Sequence, residues 1–191
     1  QILILLKQLR KERDLSIILV SHDLGIIGET CDRIVVMKDG LVVETGQALE
    51  IVRNPQAEYT RKLIDSQPEL LRKHQQTSRN SSINRAKPEP SSVDLPILEV
   101  KNLSVHFRTS SGLIRMIKRQ KEQVIKAVDD VSLQIHKGDS LGIVGESGSG
   151  KSTIARAIVR LLNLKSGKII HNGKDVSKES DRSLQSFRRS V

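Results

Sequence analysis

The stretch Gly145-Glu146-Ser147-Gly148-Ser149-Gly150-Lys151-Ser152 has the spacing G-x-x-x-x-G-K-[ST], that of a loop wrapping a chain of phosphates. Glycines let the backbone curl until successive N–H groups point inward at an anion. Lys151 can reach the terminal phosphates, and the Ser152 hydroxyl can ligate Mg²⁺. The candidate binding set is Gly145, Glu146, Ser147, Gly148, Ser149, Gly150, Lys151, Ser152 and Thr153. A second candidate is His22, in Ser21-His22-Asp23 at the tip of an apolar run, where open α/β sheets place ligand groups. The bland alternatives are a Gly/Ser-rich turn and a structural histidine.

The flanking sequence argues against a mere turn. Leu141 to Val144 is an apolar run of the kind that makes a buried parallel strand, and Ile154, Ala157, Ile158 and Leu161 recur on one helical face after the loop. Strand, loop and helix together aim a helix N-terminus at an anion. Ahead of His22, Ile2 to about Glu12 has helical spacing, and Ile17-Ile18-Leu19-Val20 reads as a strand buried on both faces. Leu24 to Cys31 is expected to be a short helix. Ile34-Val35-Val36-Met37 and Leu41-Val42-Val43 flank Lys38-Asp39-Gly40, a hairpin signal. Gln47 to Arg53 reads as a helix stopped by Asn54-Pro55, with one or two helical turns between Tyr59 and Leu71.

From Arg72 to Asp94 the chain turns to Ser, Asn, Gln, Arg, Lys and Pro, too polar to offset its ordering entropy, and is expected to be a flexible linker. Strand patterns resume over Ile97–Phe107 and Val131–Ile135, separated by a basic loop of roughly 108–123. Lys168 to His171 is a further strand, Asn172-Gly173 a turn, and Ser183 to Arg189 the beginning of a helix. The chain opens at Gln1 inside an amphipathic pattern and ends without a capping signal, which suggests a fragment.

Among 191 residues the formal charge is +10. The basic residues are scattered, and no aromatics are interleaved for base stacking, so no nucleic-acid partner is expected. A solvated surface or attraction to anionic lipid explains the excess equally well. One cysteine, Cys31, excludes an internal disulfide and a Cys-rich zinc site and, with the phosphate loop, favours a reducing cytoplasm. No apolar run approaches the roughly 18 residues that cross a bilayer.

Taken together, the pieces resemble the ATP-binding subunit of an ABC transporter, of the oligopeptide/dipeptide (glutathione-type) import family, with two nucleotide-binding domains in tandem. Ser21-His22-Asp23-Leu24 is similar to the family's H-loop, and Asp32 to Gly40 to the hairpin that follows it. Asn54-Pro55-Gln56-Ala57-Glu58-Tyr59-Thr60-Arg61-Lys62-Leu63 is similar to the N-P-x-H-P-Y-T-x-x-L tail of peptide importers, with a departure at Gln56-Ala57. Leu98 to Phe107, Ala127-Val128-Asp129-Asp130-Val131-Ser132-Leu133 and Ser166-Gly167-Lys168-Ile169-Ile170 resemble the front of another copy, and so does the basic insert before Ala127. The resemblance implies an α/β fold of the P-loop NTPase, ABC type. Residues 1–71 would be the C-terminal part of one nucleotide-binding domain, 72–95 a linker, and 96–191 the N-terminal part of the next.

It further implies ATP and Mg as cofactors, with Mg on Ser152, Phe107 stacking on adenine, and His22 contacting the γ-phosphate and attacking water. The implied partners are membrane-spanning permease subunits, through them a periplasmic or extracellular solute-binding protein, and a second nucleotide-binding domain. The implied place is the cytoplasmic side of the membrane. Of the other histidines, His74 lies in the linker, and His106, His136 and His171 are expected to be solvated. Hydrolysis needs a carboxylate for Mg²⁺ and a group that orients water, which the family takes from an apolar strand ending in Asp-Glu. Neither that strand, the L-S-G-G-Q signature nor the glutamine loop follows Ser152, and Asp129-Asp130 lies on the wrong side of the loop.

The expectation is therefore that His22 and Lys151 belong to different sites. The ATPase of the intact parent would power import, while this chain alone is uncertain as an enzyme. The family's topology leaves one other arrangement open, a permuted assembly in which the strand ending at His22 pairs beside the strand entering the phosphate loop. Two other functions stand beside import: a soluble tandem-ABC protein acting on ribosomes or DNA, and a non-catalytic phosphate-binding fragment.

Overall fold

The computed structural model describes residues 2–67, 95–108 and 124–191. Two four-stranded sheets enclose the main core. The first has strand order β1 (Ile17–Val20), β6 (Ser140–Val144), β2 (Arg33–Lys38), β3 (Leu41–Gln47). The second has the order β5 (Val124–Ile135), β4 (Leu98–Arg108), β7 (Ser166–His171), β8 (Lys174–Asp175). Of the expected linker only Leu95 is described, and the basic stretch 109–123 lies outside the described residues.

β6 positions the site. It is buried along its whole length and lies between two strands from the other end of the chain. Its pairing is parallel on both sides, Leu19 and Ile34 both facing Gly142. Taken apart, the two segments would each expose apolar strand edges. In the structure each supplies the other's missing neighbour, so backbone groups that would be left open are paired.

Core residues follow the same mixing. Between the sheets, Val35 and Met37 pack with Leu141, Ile143, Ile154, Ile158, Leu103, Val105 and Ile169. On the outer face of the first sheet, helices α2 (Leu24–Thr30), α3 (Ala48–Arg53) and α4 (Glu58–Asp65) put Leu24, Ile27, Ile51, Leu63 and Ile64 against Ile34, Val36 and Val144. Burying each such side chain contributes roughly 1.5–3 kcal/mol. Helix α1 (Ile2–Arg13) adds a polar clasp. Arg10 donates to Gly138 O, Ser140 Oγ and Asp32 Oδ2, and Asp32 Oδ2 also accepts from the N–H and hydroxyl of Ser140.

Three sequence expectations change. β1 is half-buried at every position rather than buried on both faces, because it lies at the sheet edge with β6 as its one partner among the described residues. Helix α5 (Lys151–Ile158) stops before Leu161, which is exposed. The cause is distant: Arg160 turns to φ 56°, and Arg188 of α6 (Asp181–Ser190) donates to the carbonyls of Val159 and Arg160. Finally, the strand expected from Val131 begins at Val124, because antiparallel pairing with β4 continues to Arg108.

Candidate functional site

The phosphate loop leaves the end of β6 and enters α5, as the local apolar pattern implies. Gly150 begins that helix at φ 100°, and the Ile154 N–H donates back to its carbonyl. A Cβ on Gly150 would stand 2.3 Å from the Ala127 carbonyl oxygen, so only glycine fits there. The loop is held from outside by the β2–β3 turn: the Gly40 N–H donates to Ser149 O, and Gly40 O accepts from the Asp129 N–H. At Gly148, by contrast, a Cβ would meet nothing within 4 Å, so the loop opens on that side.

Lys151 is buried, and its ammonium folds back on the loop. It donates to Gly145 O at 2.8 Å, Glu146 O at 2.5 Å and Ser149 Oγ at 3.2 Å. Desolvation pushes its pKa below the usual lysine value, and the Glu146 carboxylate opposes this. Ser152 is exposed in the first turn of α5, and Thr153 is half-buried there. Glu146, Ser147 and Gly148 are exposed, while Gly145, Ser149 and Gly150 are buried.

His22 is exposed at the end of β1. Asp23 caps α2, its Oδ1 accepting from the N–H groups of Gly25 at 2.8 Å and Ile26 at 3.1 Å. A cleft of about 600 Å³ is lined by His22, Leu63, Ser66, Gln67, Gly145, Glu146, Ser147 and Lys151. His22 and Lys151 thus line one cleft in this chain, the geometry of the permuted arrangement, whereas the expectation of separate sites concerns the intact parent. The physical reason is the β1–β6 pairing, which runs parallel with Val20 opposite Ile143 and so brings both loops out at the same sheet edge.

Phe107 does not line that cleft. It is 42% exposed near the end of β4, across from Ile125, and two residues further along β5 is Ala127, whose carbonyl abuts Gly150. Asp129 and Asp130 are held in the second sheet. Asp129 pairs with Lys126 at 3.0 Å, which holds its carboxyl below the ordinary range, and Asp130 accepts from Asn102 Nδ2. Two histidines expected in solvent are instead packed. His106 is half-buried, 3.8 Å from Asp129, and His171 meets the Phe187 ring edge-on at 5.2 Å, its pKa lowered by desolvation. His136 is half-buried, and His74 lies outside the described residues.

Sequence reasoning missed the wall opposite the phosphate loop. Gln67 Oε1 accepts from the Leu24 N–H and its Nε2 donates to His22 O, while the Tyr59 hydroxyl accepts from the Glu146 N–H. The likeness of Asn54 to Leu63 to a family tail marked the segment containing Tyr59, but nothing local marked its contact with the loop.

The residues present suit a polyphosphate and a magnesium ion in kind: a glycine-rich loop, one ammonium, a helix N-terminus and an exposed hydroxyl next to it. Among the described residues no cluster of three or more His, Cys, Asp or Glu side chains could hold a metal by itself, and no helix is long and apolar enough to cross a membrane.

Comparison with known proteins agrees with this chemistry. The family model for the ABC transporter domain matches residues 128–191. Along its whole length the chain is 38% identical to the glutathione import ATP-binding protein GsiA of Escherichia coli strain K12 and to that of Shigella dysenteriae serotype 1. The Shigella boydii protein of the same name is 39% identical. The chain spans about a third of the length of these relatives, 32% of each. A phosphate loop framed by a buried parallel strand, the matched domain beginning at residue 128 and the likeness to import ATP-binding proteins point the same way: residues 128–191 match the ABC transporter domain, and the chain as a whole is similar to part of the ATP-binding proteins that carry it.

Proposed function

We propose that this chain binds ATP in the cleft between the phosphate loop and His22, and that the protein of which it forms part hydrolyses ATP to drive import of a small solute such as a peptide or glutathione. The observation that carries the reading is the convergence of Lys151, Gly145, Glu146, Ser147 and His22 on one cleft of about 600 Å³. On binding, Lys151 would exchange its contacts with Gly145 O and Glu146 O for phosphate oxygens, which sets its charge against an opposite one in a partly desolvated place. The amides at the start of α5 would hold the same phosphates, Ser152 would hold magnesium, and His22 would face the terminal phosphate from across the cleft. Phe107 would offer its exposed face to the base. Bound magnesium supplies charge neutralisation at the terminal phosphates.

The proposed partners are permease subunits, through them a solute-binding protein, and a second nucleotide-binding domain, at the cytoplasmic face of the membrane. The likeness to import proteins supports this over action on ribosomes or DNA. The test is calorimetric titration of the chain with ATP and magnesium. Lys151→Ala should weaken binding at least tenfold while the far-ultraviolet circular dichroism is unchanged. Equal affinity in the variant refutes the proposal.

A further inference from the structure

Helix α4 and the two residues after it touch both loops of the cleft, one side chain to each. At its start the segment is pinned by Glu44, whose carboxylate accepts from the Gln56 N–H at 2.8 Å and the Ala57 N–H at 3.1 Å. In its middle Leu63 and Ile64 are buried in the cluster that includes Leu24, Ile27 and Val144. A helix fixed at its start and middle can act as a spacer for what it holds.

Tyr59 holds the phosphate loop. Its hydroxyl accepts from the Glu146 N–H at 3.0 Å, and the Lys38 ammonium lies 5.1 Å from the centre of its ring. The peptide joining Gly145 to Glu146 is therefore bound at both ends, because its carbonyl accepts from Lys151 at 2.8 Å. Gln67 holds the histidine loop. It takes the Leu24 N–H at 3.1 Å and gives to His22 O at 2.9 Å, spanning Asp23 and leaving the His22 backbone little freedom to swing. Gln67 is itself fixed, its N–H donating to Ile64 O at 2.9 Å.

We infer that Tyr59 and Gln67 are positioning residues for the nucleotide site, and that the segment from Tyr59 to Gln67 is a strap setting the spacing between the phosphate loop and His22. The inference rests on the proposed ATP site and adds two residues to it. Neither residue touches the reacting atoms. Each acts through a backbone group, so loss of either should disturb one loop and spare the other.

The test uses the full chain, with ATP and magnesium titrated by calorimetry and the Glu146 amide and His22 ring followed by nuclear magnetic resonance. Tyr59→Phe removes one neutral hydrogen bond and should weaken ATP binding about 3–10-fold, with the response of the Glu146 amide altered and that of His22 kept. Gln67→Ala should weaken binding by a similar factor with the opposite pattern. Gln67→Glu, which keeps the acceptor for the Leu24 N–H, should recover part of the loss and serves where the alanine variant folds poorly. If the unaltered chain binds ATP and all three variants match it in affinity and in both signals, the strap is refuted and the ATP site stands. If the unaltered chain binds no ATP, both fall together.

Discussion

Replacing Gly142 by alanine should damage the chain where its two segments meet. Gly142 sits in the middle of β6, and a Cβ there would stand 2.0 Å from Ile27 Cγ2 and 3.3 Å from both Ile27 Cβ and Cys31 Sγ. Carbon atoms rest at about 3.5–4.0 Å, so the Ile27 methyl would have to retreat by more than 1 Å, roughly the gap between those values and the contact. Ile27 is fully buried and Cys31 nearly so, which leaves little room for retreat. Overpacking of this kind costs about 1–3 kcal/mol. Ile27→Ala removes the offending methyl and by itself costs about 2–5 kcal/mol through the cavity it leaves.

In the Ile27→Ala background the added methyl at 142 has somewhere to go. The double variant should therefore be more stable than the sum of the single costs predicts, by about 1–3 kcal/mol, well above the additivity error of roughly 0.5 kcal/mol. Urea unfolding followed by far-ultraviolet circular dichroism measures all four corners of the cycle. Because the pairing lies within one chain, the unfolding midpoints should also be independent of protein concentration. If Gly142→Ala costs the same with isoleucine or alanine at 27, α2 does not lie on β6, and the single mixed sheet is wrong.

Two further outcomes follow from other contacts. Gly150→Ala combines a φ of 100° with a Cβ 2.3 Å from a backbone oxygen that cannot swing aside. It should cost about 1–3 kcal/mol of stability and weaken ATP binding at least as much as Lys151→Ala, read by the same calorimetry. Glu44 should give a pH signature. Its burial raises its pKa, but the Gln56 and Ala57 amides it accepts from and the nearby Arg61 charge outweigh this, leaving it below its ordinary 4.5. A carboxyl lowered on folding contributes stability that is present above its unfolded value and lost as pH falls through its folded one. Glu44→Gln should therefore lower the urea midpoint near neutrality and approach the parent protein as pH falls below 4.5. A constant difference across that range counts against the role given to Glu44.

What could be read from sequence was what neighbouring residues decide together. The phosphate loop, the strand before it and the helix after it are consecutive, so glycine spacing and apolar period reveal them without knowledge of the rest. The Asp39-Gly40 turn is local in the same sense, its φ values of 49° and 81° being those its residue types favour. Features set from far away were not legible. Leu161 continues a helical face, yet α5 ends earlier because of Arg188. Ile17 to Val20 has the composition of a doubly buried strand, but burial depends on how many strands flank it. The contact between Tyr59 and Glu146 spans 87 residues, and the sharing of a cleft by His22 and Lys151 depends on a strand register that no short stretch encodes.

The placement of β6 also has a consequence for how the molecule is made. Strands β1 and β2 leave the ribosome before β6, with a gap between them one strand wide, and their filler arrives more than a hundred residues later. Until then the nascent chain carries a half-finished sheet whose apolar rims must be kept apart from those of other copies. Such long-range closure is slow. Yield in a cell should accordingly respond to chaperone supply and growth temperature.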